Sequence, residues 1–434
     1  MRPGVSYKPH WVVFAAVLFM VGMWTYADRV LIPYQKVDAA AHDRPRGNLS
    51  DLYPRWLGAR ELLLHGRDPY SPEVTREIQV GFYGRPLDPS RPDDPRDQEG
   101  FAYPVYVVFC LAPTIGLPFA ILHQGCYWVL FLLTCATTLL WLRILRRAAP
   151  LWMQFSLLAL TLGSPAVMQG LKLRQMTLLV AGLIAIAITL LVADYQIAAG
   201  FLLALATIKP QLVVLLLCWL ALWTLGDWRR RYRLAVSFLA TMTVLVAASE
   251  WYLPHWIPRF WRAIQEYEHY TASASVMDNL LGAPWSWVFE LLACAAVVGV
   301  CWRERRQAAS TNSFAFTLSL ALATTILIVP TCANYNQVLV IPALLVLARE
   351  RRTIWQRSFV NRILFLLTGT LVLWPWLSST VLAGLSFVLP PPTVERGWAI
   401  PFWTVIQIPV AVAALMLAHY YQTTFTASAG PGPS

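Results

Sequence analysis

Long apolar runs alternate with short polar connections along most of this chain. An apolar run of about 20 residues is long enough for a helix to cross a bilayer. We therefore predict an all-α polytopic membrane protein with about 12 transmembrane helices, two of them shorter than a full crossing. The predicted crossings are residues 11–28, 125–143, 151–168, 176–193, 197–208, 211–225, 232–251, 284–302, 313–330, 336–349, 361–379 and 400–420.

A polar region follows the first apolar run. Residues 28–124 are predicted to form a large first outer loop that carries interfacial and re-entrant helices. Within it, Asp51 opens a short amphipathic helix whose leucines and tryptophan fall mostly on one face, as in helices that lie in the membrane interface. Pro69 is expected to stop that helix. Residues 85–100 are rich in proline and aspartate and predict a mobile insertion.

The last part of the loop, residues 103–122, is apolar but contains three prolines. We interpret it as a re-entrant or interfacial segment that walls a cavity, because irregular backbone at membrane depth needs protein or water around it. This assignment places the arginine block 143–147 on the cytoplasmic side. Both termini are then cytoplasmic, residues 1–434 form a single transmembrane domain, and residues 421–434 are predicted to be a disordered cytoplasmic tail.

Composition agrees with this picture. The chain is 57% hydrophobic and only 13% charged, which is typical of membrane proteins. Its net charge of +11 does not indicate nucleic-acid binding, because the arginines form short blocks between apolar runs and suit cytoplasmic anchors. The seven cysteines lie singly, without metal-ligand spacing, and most fall inside apolar runs, so we interpret them as small core residues. We expect no metal site and no cofactor. The first apolar run is interpreted as an uncleaved signal anchor.

A series of short motifs runs through residues 11–350. These are Asp51-x-Tyr53, Ala59-Arg60-x-Leu62-Leu63, Gly66-Arg67-Asp68-Pro69-Tyr70, Phe101-Ala102-Tyr103-Pro104, Gln175, Lys209-Pro210-Gln211, Ser275-x-x-Asp278-Asn279-Leu280-Leu281-Gly282 and Asn334-Tyr335-Asn336-x-Val338-Leu339-x-Ile341-Pro342. The series resembles glycosyltransferase family 87, which belongs to the GT-C class of polyprenyl-phosphate-sugar-dependent membrane glycosyltransferases. Two positions depart from the family pattern: Val105 replaces a proline, and Asn336 replaces an aspartate.

The resemblance implies a GT-C-like fold and a defined reaction. A hexose, with mannose the family's best-known case, would pass from a polyprenyl-phosphate donor to a hydroxyl of a cell-envelope glycan or glycolipid, with inversion. Such a displacement uses one carboxylate as general base, a role typically worth ~10²–10⁴-fold. With Asn336 in place of an acid, Asp51 is the main candidate. The alternative is that Asp51 only caps the helix that follows.

Lys209 is the second candidate, because it is the only lysine within a long apolar stretch. The resemblance suggests that it binds the donor phosphate; the alternative is a lysine that extends to the interface. Arg259 and Arg262 would complete a phosphate clamp or else anchor an aromatic-rich segment at the interface. The residues expected to contact substrate are Tyr53, Arg60, Asp68, Tyr70, Tyr103, Gln175, Gln211, Asn279, Asn334 and Asn336. Several of the amides also suit caps of spans, and Asp68 and Tyr70 are also interpreted as residues that shape the loop.

The predicted location is the plasma (inner) membrane, with the active site on the outer, periplasmic face. Two other functions remain open at this point: a transporter or lipid flippase, and a non-catalytic GT-C-like subunit. Secondary transporters are often built from repeated halves, and this chain has no clear internal repeat. Its acidic candidates also gather in the first outer loop, which favours the transferase.

Overall fold

The computed structural model describes residues 9–42, 44, 50–145, 149–271 and 273–428. Every long regular element within these ranges is a helix, and no β-strand occurs in them. The predicted all-α class is therefore confirmed for the described part of the chain.

The α-helices of these ranges vary in length from 5 to 27 residues. The first half contains α1 Pro9–Tyr26, α2 Ile32–Ala41, α3 Leu52–His65, α4 Pro72–Tyr83, α5 Val107–Leu111, α6 Phe119–Ile144, α7 Leu151–Leu162, α8 Pro165–Leu173, α9 Met176–Val192 and α10 Gln196–Ala206. The second half contains α11 Val214–Gly226, α12 Trp228–Tyr252, α13 Trp256–Thr271, α14 Val276–Leu281, α15 Trp285–Glu304, α16 Asn312–Ile328, α17 Ile341–Arg357, α18 Phe359–Leu385, α19 Pro391–Glu395 and α20 Gln407–Ser428. Short 3₁₀ turns cover Ala112–Thr114, Pro210–Leu212, Asn334–Val340 and Ile400–Phe402.

Fewer helices than predicted are long enough to cross a membrane. Among the described residues there are six such stretches, or seven if α7 and α8, bent by 60°, form one span. They are Pro9–Ala41, Phe119–Ile144, Trp228–Tyr252, Trp285–Glu304, Phe359–Leu385 and Pro391–Thr424. The other apolar helices α9, α10, α11 and α16 have only 10–17 residues. Polar and turn residues interrupt these apolar runs, so the helices end before reaching the ~20 residues of a full crossing.

The first span is longer than the predicted 11–28. α1 continues through a π-helical turn, Ala27–Leu31, into α2, and the whole stretch Pro9–Ala41 has 33 residues. At the other end of the chain, α20 extends to Ser428, so the first eight residues of the predicted tail are helical. Residues 429–434 of that tail lie outside the described residues.

The helix opened by Asp51 differs from its prediction in two ways. It ends at His65, because Gly66 follows it in the left-handed conformation with φ 65°, and Pro69 lies beyond the end. Its polar side chains do not all face outward: Arg55 and Glu61 are buried, whereas Leu64 is exposed. The burial of Arg55 brings a cation into the interior beside Asp51.

The proline- and aspartate-rich segment 85–100 is held against α4 by hydrogen bonds, contrary to the predicted mobile insertion. The Tyr83 hydroxyl donates to the carbonyl of Asp97 at 2.9 Å, and the Gln79 amide donates to the side-chain oxygen of Gln98 at 2.9 Å. Arg85 Nη1 also donates to Asp94 Oδ2 at 2.8 Å. These contacts fix where the acidic residues near the end of the segment lie.

Four breaks between helices meet beside the protein core. α16 is at the centre of that core and buries every residue from Phe314 to Leu327. The breaks are the start of α3, the junction of α8 and α9 at Gln175, the connection from α10 to α11, and the 3₁₀ turn Asn334–Val340 that follows α16. Side chains from all four are joined by hydrogen bonds. The segment 103–122, divided into α5, a 3₁₀ turn and the beginning of α6, packs against α3.

Candidate active site

Asp51 lies directly before α3, but its side chain makes no capping hydrogen bond to that helix. Its carboxylate instead accepts a hydrogen bond from the side-chain amide of Gln175, 124 residues away in the sequence. The backbone carbonyl of Asp51 accepts from Arg55 Nη1 at 2.6 Å. The carboxylate is thus directed into the protein rather than toward the helix backbone.

Gln175 connects Asp51 to Lys209. While its amide nitrogen donates to Asp51, its amide oxygen accepts from Lys209 Nζ at 3.1 Å. Lys209 Nζ also donates to the Thr177 hydroxyl at 2.8 Å, and that hydroxyl donates to Asn336 Oδ1 at 3.0 Å. A hydrogen-bonded series therefore runs from the acid through the amide to the ammonium and on to Asn336.

Aromatic rings surround the two cations of this cluster. Lys209 Nζ lies 4.9 Å from the ring centroid of Tyr335 and 6.0 Å from that of Tyr103. The Arg55 guanidinium lies 4.6 Å from the Tyr103 ring. Both distances to Tyr103 fall within the range of cation–π attraction, so this ring helps to hold two positive charges in one place.

Two further carboxyl groups, Asp97 and Glu99, interact electrostatically with the Asp51–Arg55 pair. Burial raises the pKa of Asp51, and Asp97 raises it further, whereas Arg55, Lys209 and the Gln175 hydrogen bond lower it. Burial likewise raises the pKa of Asp97, and it raises that of Glu99 well above its ordinary value, with added repulsion from Asp97 and Asp51. The cluster therefore favours neutral carboxyl groups, and it has buried cations with which an ionised one can pair.

A small cavity of about 150 Å³ opens beside Lys209. Tyr103, Pro104 and Tyr267 contribute to its walls, together with Gln211 and the apolar side of α13. The predicted cavity wall in segment 103–122 is thus present at Tyr103 and Pro104. The ammonium of Lys209 is consequently buried within the protein and yet next to an open space.

A model of glycosyltransferase family 87 matches residues 101–330, which is more than half of the chain. The chain belongs to glycosyltransferase family 87. The search of curated proteins and the search of solved structures returned no significant match. Family membership, together with the apolar helices, makes this protein a membrane glycosyltransferase with a sugar donor and an acceptor as substrates. The matched range includes Tyr103, Gln175 and Lys209, whereas Asp51 precedes it.

The structure brings together five of the residues that the sequence singles out. In this family 87 protein, Asp51, Tyr103, Gln175, Lys209 and Asn336 form one cluster at the junction of four helix breaks. Lys209 is thus buried with hydrogen-bond partners rather than extended toward an interface. Gln211 lines the adjacent cavity, although its side chain is exposed.

Four other predicted site residues lie at a second cavity, of about 810 Å³: Asp68, Tyr70, Arg259 and Arg262. Arg259 Nη1 pairs with Asp68 Oδ2 at 2.7 Å, and Arg262 is exposed. Neither arginine lines the cavity beside Lys209, so the structure does not assemble the predicted three-residue phosphate clamp. Tyr70 touches both regions, because its hydroxyl donates to the Tyr103 carbonyl at 2.6 Å.

The remaining predicted residues make contacts away from the cluster. Tyr53 packs its ring edge-on against Phe119, with centroids 4.9 Å apart. Arg60 lies 5.5 Å from the Trp56 ring, and Asn279 is exposed and donates to the Ser275 carbonyl at 2.7 Å. Asn334 begins the 3₁₀ turn that carries Asn336.

Sequence reasoning missed five members of the cluster. These are Arg55, Asp97, Glu99, Thr177 and Tyr335. Asp97 and Glu99 closely precede the Phe101-Ala102-Tyr103-Pro104 motif, and Thr177 follows Gln175 by two residues, so nearness to the motifs was an available signal. Within the described ranges, no three histidine, cysteine, aspartate or glutamate side chains form a metal-binding group.

Proposed function

We propose that this protein is an inverting, polyprenyl-phosphate-sugar-dependent hexosyltransferase that passes a sugar to a hydroxyl group of a glycan or glycolipid. One observation carries the proposal: Gln175 contacts the Asp51 carboxylate with one end of its amide and the Lys209 ammonium with the other. A base and a cation held at opposite ends of one short side chain suit a displacement that removes a proton and produces an anion.

Asp51 is the proposed general base. The acceptor hydroxyl gives its proton to the Asp51 carboxylate as its oxygen attacks the anomeric carbon of the donor sugar. The bond from that carbon to the phosphate oxygen breaks, and the lipid phosphate leaves with the bonding electron pair. A single displacement inverts the anomeric centre, and one carboxylate suffices because no glycosyl-enzyme intermediate forms.

Lys209 is the proposed partner of the departing phosphate. An ammonium has three N–H donors, and Lys209 has two hydrogen-bond partners among the described residues, Thr177 and Gln175. The third donor remains for a phosphate oxygen, whose negative charge increases as the bond to the sugar breaks. Tyr335 and Tyr103 stabilise the cation while the site is empty of phosphate.

Mannose is the proposed sugar, and the outer, periplasmic face of the plasma membrane is the proposed side of the reaction. The arginine-rich connections between apolar runs support this orientation, because such segments remain cytoplasmic. Asp51 lies in the first loop, and Lys209 of the same cluster lies at the opposite end of α11 from the arginines at 229–231.

A transfer assay tests the proposal. Purified protein in lipid nanodiscs would be incubated with a panel of radiolabelled polyprenyl-phosphate sugars, with glycolipid extracts as acceptors. We expect label to enter the acceptor from at least one donor, mannose first, with the opposite anomeric configuration in the product. Labelled sugar that crosses vesicle membranes without transfer would favour a transporter, and neither transfer nor transport by the folded protein would favour a non-catalytic subunit.

A further inference from the structure

The cavity of about 810 Å³ is larger than the space beside Lys209 and has a different lining. Its walls come from α4, from the segment 98–102 and from α13. Gln79, which is 4% exposed, holds part of this wall in place through its hydrogen bonds to Gln98 and to the backbone N–H of Leu87. The cavity is therefore a structured feature between the first loop and α13.

α13 separates the two cavities with two different faces. Arg259, Arg262 and Glu266, spaced three or four residues apart, line the larger cavity. Phe260 and Ile264, on the adjacent side of the same helix, line the space beside Lys209. Ala102, in the backbone segment before α5, lines both cavities and thus lies in the wall between them. A ligand in the larger cavity would thus lie next to the proposed reaction site.

The side chains of the larger cavity combine three arginines and two carboxylates, Asp68 and Glu266, with aromatic rings. Arg259 is neutralised by Asp68, but Arg76 and Arg262 have no side-chain hydrogen bond or ion pair within the described residues. Arginine presents a planar set of N–H donors that matches phosphate and carboxylate oxygens. Tyr70 and Tyr270 add ring surfaces and hydroxyl groups, which suit the apolar faces and hydroxyls of a sugar.

We propose that this cavity binds the acceptor, and that the acceptor is a carbohydrate bearing an anionic group held by Arg76 and Arg262. Naming the ligand an acceptor rests on the proposed function, but the binding of an anionic carbohydrate in this cavity does not depend on it. The arginines that α13 contributes to this cavity then have a role distinct from that of the donor phosphate site at Lys209.

Binding is tested without catalysis by saturation-transfer NMR on the full chain in nanodiscs. The probes are a hexose 6-phosphate, a hexuronic acid, the neutral hexose and inorganic phosphate, so that phosphate and carboxylate sources are distinguished. The variant is Arg76→Gln with Arg262→Gln. The matched control is Arg91→Gln with Arg96→Gln, two exposed arginines of the same loop outside the cavity lining.

We expect at least one charged sugar to bind about tenfold more tightly than the neutral hexose, and the cavity variant to lose that preference while the control keeps it. Equal binding of charged sugars by the cavity variant and the wild type would overturn the proposal. So would inorganic phosphate binding as tightly as the charged sugars, since it would identify a simple anion site.

The transfer assay supplies a second readout. The cavity variant should raise the KM for acceptor by about tenfold and leave the KM for donor close to the wild-type value. A rise in donor KM alone would assign these arginines to the donor and contradict the inference. A wild type that binds charged sugars but transfers nothing would contradict the proposed function and leave this binding site standing.

Discussion

Two buried cations flank α11, and their surroundings differ. Lys209 precedes the helix and is 7% exposed, whereas Arg231 follows it and is 6% exposed. The Arg231 guanidinium lies 3.9 Å from the Trp223 ring centroid and, within the described ranges, donates only to backbone carbonyls. The four acceptors, at 2.5–3.2 Å, are the carbonyls of Trp223, Arg305, Arg306 and Gln307. Lys209 donates to neutral side chains, those of Thr177 and Gln175.

Equal burial therefore does not imply an equal role. The carbonyl partners of Arg231 belong to the ends of α11 and α15, so this residue joins helix ends and is satisfied without a ligand. Lys209 has side-chain partners that can rearrange and a cavity beside it, and one of its three N–H donors has no partner among the residues that the structure describes. We therefore expect Lys209, rather than Arg231, to bind a substrate anion.

The largest expected effect on transfer comes from replacing Asp51, the carboxylate of the cluster that contains Lys209. Asp51→Asn should reduce transfer by ~10²–10⁴-fold, because an amide cannot accept the hydroxyl proton. The asparagine oxygen can still accept the Gln175 hydrogen bond, so the thermal unfolding midpoint should stay close to that of the wild type. Near-normal turnover in the same donor and acceptor assay would remove Asp51 from catalysis.

Lys209→Met should weaken productive donor binding by about 10- to 100-fold, corresponding to the ~1.5–3 kcal/mol of a hydrogen bond to a charged group. The measurement is the dependence of transfer rate on donor concentration. Lys172→Met is the matched control, because Lys172 pairs with Asp28 rather than with the cluster. An unchanged donor dependence would make Lys209 a structural cation, like Arg231.

Arg231→Met should lower the stability of the protein and leave donor binding unchanged, the reverse of what we expect for Lys209→Met. Leaving even one of its carbonyl acceptors buried and unpaired costs about 1–3 kcal/mol, so the variant should unfold at lower temperature. Its remaining folded fraction should keep the wild-type KM for donor. Arg230→Met is the control, since the Arg230 side chain is 86% exposed. A raised donor KM for Arg231→Met would erase the distinction between the two cations.

The smallest expected effect is a displaced pH profile. The proposed base must be ionised, so activity falls as pH falls through the Asp51 pKa, which burial raises above the usual ~3.9 of an aspartate. Asp97 contributes to that rise, and Asp97→Asn should therefore move the acidic limb of kcat/KM to lower pH. Asp93→Asn, in the same loop but exposed, should not. A shift of the acidic limb to higher pH in Asp97→Asn would show that a group other than Asp51 determines that limb.

The sequence predicts the membrane class and singles out several residues that the structure brings together, because both depend on local signals. Apolar runs identify the helices, and an acid, a glutamine and a lysine next to helix breaks identify Asp51, Gln175 and Lys209. The described residues contain fewer helices of crossing length than the sequence predicts, for a physical reason. Hydropathy counts apolar residues regardless of where a helix ends, and α9, α10, α11 and α16 have only 10–17 residues, fewer than the ~20 of a full crossing.

The separation of the two cavities was not predictable in the same way. Arg259 and Lys209 are both cations in suitable segments, and only the orientation of α13 shows that they line different spaces. The burial of Arg55 and the folding of the 97–99 segment toward it likewise depend on contacts between residues more than 40 positions apart, where composition suggested a solvated loop.

The side-chain amide of Gln175 has a hydrogen-bond donor at one end and an acceptor at the other, and each end faces one of the two charged groups. Its nitrogen end suits an anion and its oxygen end suits a cation. A rotation of the amide by half a turn would place the oxygen against the Asp51 carboxylate and the nitrogen against the Lys209 ammonium. One orientation of this uncharged amide therefore satisfies both charged groups, and Gln175 bridges Asp51 and Lys209 through its two hydrogen bonds.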